Sequence, residues 1–147
     1  MTHEEKALSY LANEFNCAQA VLGAFASDFG IDEELALKLA TEFGGGVRCG
    51  QLCGAVSGAM LVLGLKYGNY HSGDKDEISK AYNISVEFNK RFCERNNSIV
   101  CKELLGYDFS IPEHRKIIRE QNIMMQICPQ MVTDAVEIVE QLISDGN

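Results

Sequence analysis

Apolar positions recur at intervals of three and four along most of the chain, and no alternating apolar–polar run reaches a useful strand length. Thr2-x-x-Glu5 reads as a capping box opening a first helix, with Ala7, Leu8, Leu11 and Phe15 along one face. Asn16 can cap a second helix, with Ala20, Val21, Ala24 and Phe25 inward and Gly30 at its end. Asp32 can cap a third, carrying Leu35, Leu37, Leu39, Ala40 and Phe43 and stopped by Gly44-Gly45-Gly46. A glycine-rich loop leads into a fourth helix from about Leu52 to Tyr67, and the polar segment Asn69 to Lys75 reads as a loop. Asp74-x-x-Glu77 opens a long fifth helix, with Ile78, Tyr82, Ser85, Phe88 and Phe92 at helical spacing and a break at Asn96-Asn97. Ser98 can cap a short helix through Leu105, stopped by Gly106. Ser110-x-x-Glu113, with Pro112 near the start, begins a seventh. Pro129 at a first helical position begins the last, with Val132, Val136, Val139 and Leu142 along one side. The pattern predicts an all-α bundle of seven or eight helices with short connections.

Length and charge narrow the picture. The 147 residues are one domain's worth, so residues 1–147 read as a single helical domain able to bury its own core. With 13 Lys+Arg against 21 Asp+Glu, the net charge is −8. Such a surface repels phosphate backbones and anionic lipid, so nucleic acid and membrane are poor partners. The first residues show neither a basic region nor an apolar stretch of the secretory kind. The longest apolar run, Leu52 to Leu65, falls short of the ~20 residues a bilayer requires. The expected compartment is the cytoplasm.

Cysteine is the unusual component. Six occur, at positions 17, 49, 53, 93, 101 and 128. In a reducing compartment, clustered cysteines more often bind metal or do redox chemistry than form permanent bridges. On the helix map, Cys17, Cys53 and Cys101 fall in or at the first turn of a helix, and Cys128, just before Pro129, is a candidate N-cap. A helix start carries about +0.5 of an elementary charge and unpaired N–H donors, so it favours a thiolate or an anionic cluster held by thiolates. The plainer alternative is that each cysteine is a small buried hydrophobe.

The segment Gly44 to Gly58 holds six glycines in fifteen residues. Gly54 and Gly58 share a helix face, so another backbone or a cofactor can approach closely there. Gly54, Ala55, Gly58 and Cys49 are therefore candidate cofactor neighbours, with tight helix packing as the alternative. Arg48 places a positive charge near Cys49 and Cys53. A phosphate-binding loop is set aside, because the Gly-x-x-x-x-Gly-Lys-Ser/Thr pattern and a preceding strand are both missing. Zinc is a rival, although Cys49-x-x-x-Cys53 is not the usual knuckle spacing and His3, His71 and His114 are scattered. His3 and His71 read as solvated.

The ordered motifs Asn16-Cys17-Ala18-Gln19-Ala20-Val21, Phe43-Gly44-Gly45-Gly46, Cys53-Gly54-Ala55-Val56-Ser57-Gly58-Ala59, Cys101 to Asp108 and Cys128-Pro129 resemble a bacterial and archaeal family of redox-active proteins. That family is named for its C_GCAxxG_C_C cysteine–glycine pattern. The resemblance also reaches, more distantly, the iron–sulfur part of split-Soret cytochromes. It implies a small helical redox protein in which Cys17, Cys53, Cys101 and Cys128 are the recurring cysteines, with Cys49 and Cys93 as additions. No haem-attachment Cys-x-x-Cys-His is present, so haem chemistry does not carry over. Three functions follow as expectations. In the first, the four thiolates hold an iron–sulfur cluster or similar metal centre and pass electrons to a redox partner. In the second, the same cysteines exchange thiol and disulfide without metal, as an oxidoreductase-type protein. In the third, the chain is a non-enzymatic helical assembly or sensor module that forms a homodimer.

Overall fold

The computed structural model describes residues 1–146. They form eight α-helices: α1 His3–Ala12, α2 Cys17–Phe25, α3 Glu33–Ala40, α4 Gly54–Tyr67, α5 Lys75–Asn96, α6 Cys101–Leu105, α7 Pro112–Glu120 and α8 Ile123–Gly146. Thr2 with Glu5, and Asn16 with Gln19, close reciprocal capping boxes at the heads of α1 and α2. Asp32 and Asp74 accept from the Leu35 and Glu77 amides at the heads of α3 and α5. Asn97 and Gly106 end α5 and α6 in the left-handed conformation. These features form as the sequence predicts, because each depends on residues within one turn of one another.

At the centre is α2, with all nine of its residues buried. A helix that is apolar on every side can face only other helices, and α2 packs on α1, α3, α4 and α8. The closest approach is to α4. A Cβ placed on Gly58 would lie 2.8 Å from the Ala18 carbonyl oxygen and 3.0 Å from the Ala18 Cα. Phe88 and Phe92 of α5 are fully buried, as are Val132, Val136 and Val139 of α8. Asp134, buried on α8, ties the two helices together by accepting from Arg95 at 3.0 Å, Asn96 at 3.1 Å and Gln130 at 2.9 Å. No helix among the described residues is long and apolar enough to cross a membrane.

Several expectations are corrected. α3 turns Ala36 and Ala40 inward and leaves Leu35 and Leu39 exposed, because the small alanines allow close packing on α2. Tyr82 of α5 is exposed. α4 starts at Gly54, since Leu52 is engaged in a bridge with Val100. Ile111, not Ser110, occupies the cap position of α7, with Pro112 as its first residue. Ser98 does not cap α6; its hydroxyl accepts from the Val100 amide and donates to Glu103. His3 is clamped, with Nε2 2.6 Å from Asp28, Nδ1 3.0 Å from Glu140 and its ring stacked 4.0 Å from that of Phe25. The last helix does not begin at Pro129. α8 starts at Ile123 and runs through the proline. Pro129 has no N–H for the Met125 carbonyl, and an interior proline costs roughly 3 kcal/mol. Burial of Cys128, Met131, Val132 and Ala135 around it, continued upstream by Ile123, Met124 and Ile127, offsets that cost.

Candidate functional site

Four cysteines reach one place from four separate segments. Cys17 is the first residue of α2, behind the Asn16 cap. Cys53 holds the cap position of α4, and Cys101 is the first residue of α6. Cys128 lies inside α8 rather than at its start. Backbone hydrogen bonds fix two of the four relative to each other. Leu52 and Val100 form an isolated antiparallel bridge. Beside it, the Cys53 amide donates to the Ile99 carbonyl at 2.8 Å and the Cys101 amide to the Gln51 carbonyl at 2.6 Å.

The glycine segment makes this approach possible. Gly45, Gly46, Val47 and Arg48 are left-handed in succession, with φ of 64°, 63°, 57° and 58°. A Cβ on Gly46 would meet the Gln51 amide at 2.5 Å and the Cys101 Cβ at 2.8 Å. At Gly54 a Cβ would lie 3.2 Å from that of Cys17. Val47 and Arg48 have no such excuse. A left-handed L-residue costs roughly 1–2 kcal/mol, and β-branched Val is a rare occupant of that region. The turn carries the Arg48 guanidinium over the ring of Phe109, 4.6 Å from its centroid.

The four sulfurs border a small cavity of about 20 Å³. Gly45, Leu104, Phe109, Met124, Ile127 and Met131 are among its other walls, and no histidine or carboxylate among the described residues lines it. Each of the four cysteines is only 5–6% exposed, and all are free thiols. Cys17 and Cys128 are neighbours on the cavity wall. The neighbouring Cys128 thiol and burial hold Cys17 well above the usual thiol range, whereas Cys128 is lowered by the Cys17 thiol beside it. Burial pushes Cys53 up to about 11, against the pull of the Ala55 and Val56 amides. Burial, with added repulsion from Cys53, Cys128 and Asp108, pushes Cys101 up to about 12, and Arg48 partly opposes this. The expectation that helix starts favour thiolates here is therefore corrected for Cys17, Cys53 and Cys101. Desolvation and mutual repulsion outweigh the helix ends. Without a cation, most of the site keeps its protons.

The other candidates stand apart. Cys49 is exposed and donates to the Gly46 carbonyl at 3.5 Å, and half-buried Cys93 is on α5; neither lines the cavity. Of the small residues, Gly54 lines it, while Ala55 and Gly58 do not. Gly58 serves the contact between α2 and α4 instead. Phe109, Met124 and Met131 escape sequence reasoning, since nothing in their spacing separates them from ordinary core residues. The donor set suits a group ligated by thiolates alone. No three His, Cys, Asp or Glu side chains among the described residues stand together closely enough to ligate a single metal ion. The cavity has room for about one water-sized occupant, so a multinuclear group needs the walls to yield. Met124 and Met131, unbranched and adaptable, are the walls best able to do so.

No curated protein and no solved structure matches the chain. Residues 15–142 match the family described as "Putative redox-active protein (C_GCAxxG_C_C)". With that match running over most of its length, and with cysteines from four segments gathered at one buried cavity, the chain belongs to the C_GCAxxG_C_C family of redox-active proteins.

Proposed function

We propose that the protein transfers electrons through an iron–sulfur cluster held by Cys17, Cys53, Cys101 and Cys128. The observation that carries this reading is the convergence of four buried thiols on one cavity that offers no oxygen or nitrogen side-chain ligand from a histidine or carboxylate. Such a cluster, when bound, supplies one-electron transfer at a potential tuned by the hydrogen bonds and burial around its sulfurs. The chain's own part is to provide the thiolates, exclude water with an apolar wall, and place Arg48 where it offsets negative charge beside Cys101. The raised pKa values support this reading over simple thiol chemistry. Protonated buried thiols are poor nucleophiles, whereas a bound cation replaces their protons and reverses the preference. Anaerobic reconstitution with iron and sulfide, read by visible absorption and by iron content, tests it. Cys→Ser at any of the four should abolish iron retention, and Cys49→Ser or Cys93→Ser should leave it unchanged. A wild-type protein that takes up no iron with all its thiols free would overturn it.

A second reading rests on Cys17 and Cys128 lining the same cavity, with each thiol shifting the other. This pair could form a disulfide, giving up two protons and two electrons to an external disulfide that becomes two thiols. It requires the thiol count to fall by two on mild oxidation of metal-free protein, with the new bond mapping to Cys17 and Cys128.

A further inference from the structure

The chain has five arginines, and three of them meet. Arg48 from the left-handed turn, with Arg115 and Arg119 one turn apart on α7, lines a surface groove of about 380 Å³. Its remaining walls are Phe109, Ile118, Asn122 and Met124, and no carboxylate among the described residues lines it. Arg91 and Arg95, the other two arginines, are both paired with acids. Arg48, Arg115 and Arg119 make no ion pair among the described residues, in a chain where acids outnumber bases by 21 to 13. Two of the three are held in place. Arg48 lies against the face of Phe109, and Arg115 donates to the Phe109 carbonyl at 2.7 Å. The strained backbone at Val47 and Arg48 marks the same spot, since such conformations persist where the surroundings hold them and cluster at functional sites. Phe109 and Met124 are shared walls, facing the groove on one side and the four-cysteine cavity on the other.

We propose that this groove binds a small organic anion, with an apolar body against Phe109, Ile118 and Met124 and a carboxylate or phosphate on the arginines. Guanidinium groups match both oxyanions in geometry and charge, and the groove's volume is that of a small-molecule site. The ligand's place, one side chain away from the thiols, makes it a candidate substrate or regulator of whatever they hold. Binding itself does not depend on the cluster, so it can be measured on the chain with or without iron.

The test is isothermal titration of the full-length protein with phenyl phosphate, benzoate and inorganic phosphate. Phenyl phosphate or benzoate should bind in one-to-one ratio, and inorganic phosphate more weakly because it leaves the apolar floor empty. Arg119→Gln, at an exposed residue whose side chain makes no hydrogen bond among the described residues, should weaken binding about tenfold or more, the loss of one charge-assisted bond. Arg115→Gln should do the same, with unchanged far-UV circular dichroism showing that the fold survives. Lys66→Gln, a charge change outside the groove, should have no effect. Absence of binding by all three compounds overturns the proposal, and so does equal weakening by Lys66→Gln and Arg119→Gln.

Discussion

Gly58 and Gly64 lie on the same helix, and replacing each by alanine should move stability in opposite directions. Both substitutions gain helix propensity, about 1 kcal/mol in a helix interior. At Gly64 a Cβ meets nothing within 4 Å, so the gain stands alone. At Gly58 the same methyl would sit 2.8 Å from the Ala18 carbonyl oxygen and 3.0 Å from both the Ala18 Cα and the Val21 Cβ. Two of these are backbone atoms of the buried helix α2, which cannot turn aside as a side chain would. Ordinary contact would require the two helices to separate, and overpacking of this kind costs typically 1–3 kcal/mol. The propensity gain is common to both variants and cancels in their difference, leaving about 1–3 kcal/mol between them. For a chain of this size that is a melting-temperature gap of roughly 3–10 °C. Urea unfolding followed by far-UV circular dichroism should show Gly64→Ala shifted to higher and Gly58→Ala to lower denaturant, with the same slope. Equal stability of the two variants would refute the claim that a missing Cβ sets the distance between α2 and α4.

Iodoacetamide at pH 8 should label exposed Cys49 first, because Cys53, with its pKa near 11, is about one part in a thousand thiolate there as well as being buried; rapid labelling of Cys53 or Cys101 in native protein would contradict the buried site. Since Cys53 and Cys101 rise from the ordinary 9.0 to about 11 and about 12 on folding, the folded state binds their protons more tightly. Their contribution to the stability of iron-free protein should be full below pH 9 and be lost as pH rises through 11 to 12, a loss that Cys53→Ser should lessen in denaturant titrations across that range. Asp134→Ala should cost about 2 kcal/mol by orphaning Asn96 and Gln130 and weakening the hold on Arg95, as measured by urea unfolding. His3→Ala should cost about 1 kcal/mol, most of it the stacking on Phe25 rather than the half-exposed contacts with Asp28 and Glu140, so high salt should leave most of the difference in place.

What could be read from the chain was local. Thr2, Asn16, Asp32 and Asp74 cap the helices they precede, because a cap needs only a side chain and an amide three residues on. The burial of Val132, Val136 and Val139 follows from spacing alone. The inward face of α3 was legible only at Ala40, because hydrophobicity favours Leu35 and Leu39 while close packing on α2 favours Ala36 as well. Pro129 is misleading for a similar reason: its preference for a first helical position is weaker than the apolar stripe on either side of it. Family order singled out Cys17, Cys53, Cys101 and Cys128, yet their meeting at one cavity is a matter of tertiary structure. So is the convergence of Arg48 with Arg115 and Arg119, on segments far apart in sequence. The left-handed Val47 and Arg48 run against the preferences of both residue types, so no local rule anticipates them.

The bridge between Leu52 and Val100 also bears on how the molecule folds. It closes a loop that contains all of α4 and α5, and the meeting of Cys17 and Cys128 at the cavity spans more of the chain still. Contacts between residues so distant in sequence form slowly, since the entropy of closing the loop is lost before they return anything. The helices can therefore form early while the thiols are still apart, and the complete set of four exists only after α8 has docked. During synthesis, Cys17 and Cys53 emerge well before Cys128 and spend that interval unsheltered, so oxidation of the nascent chain, rather than of the finished protein, is where this arrangement is most vulnerable.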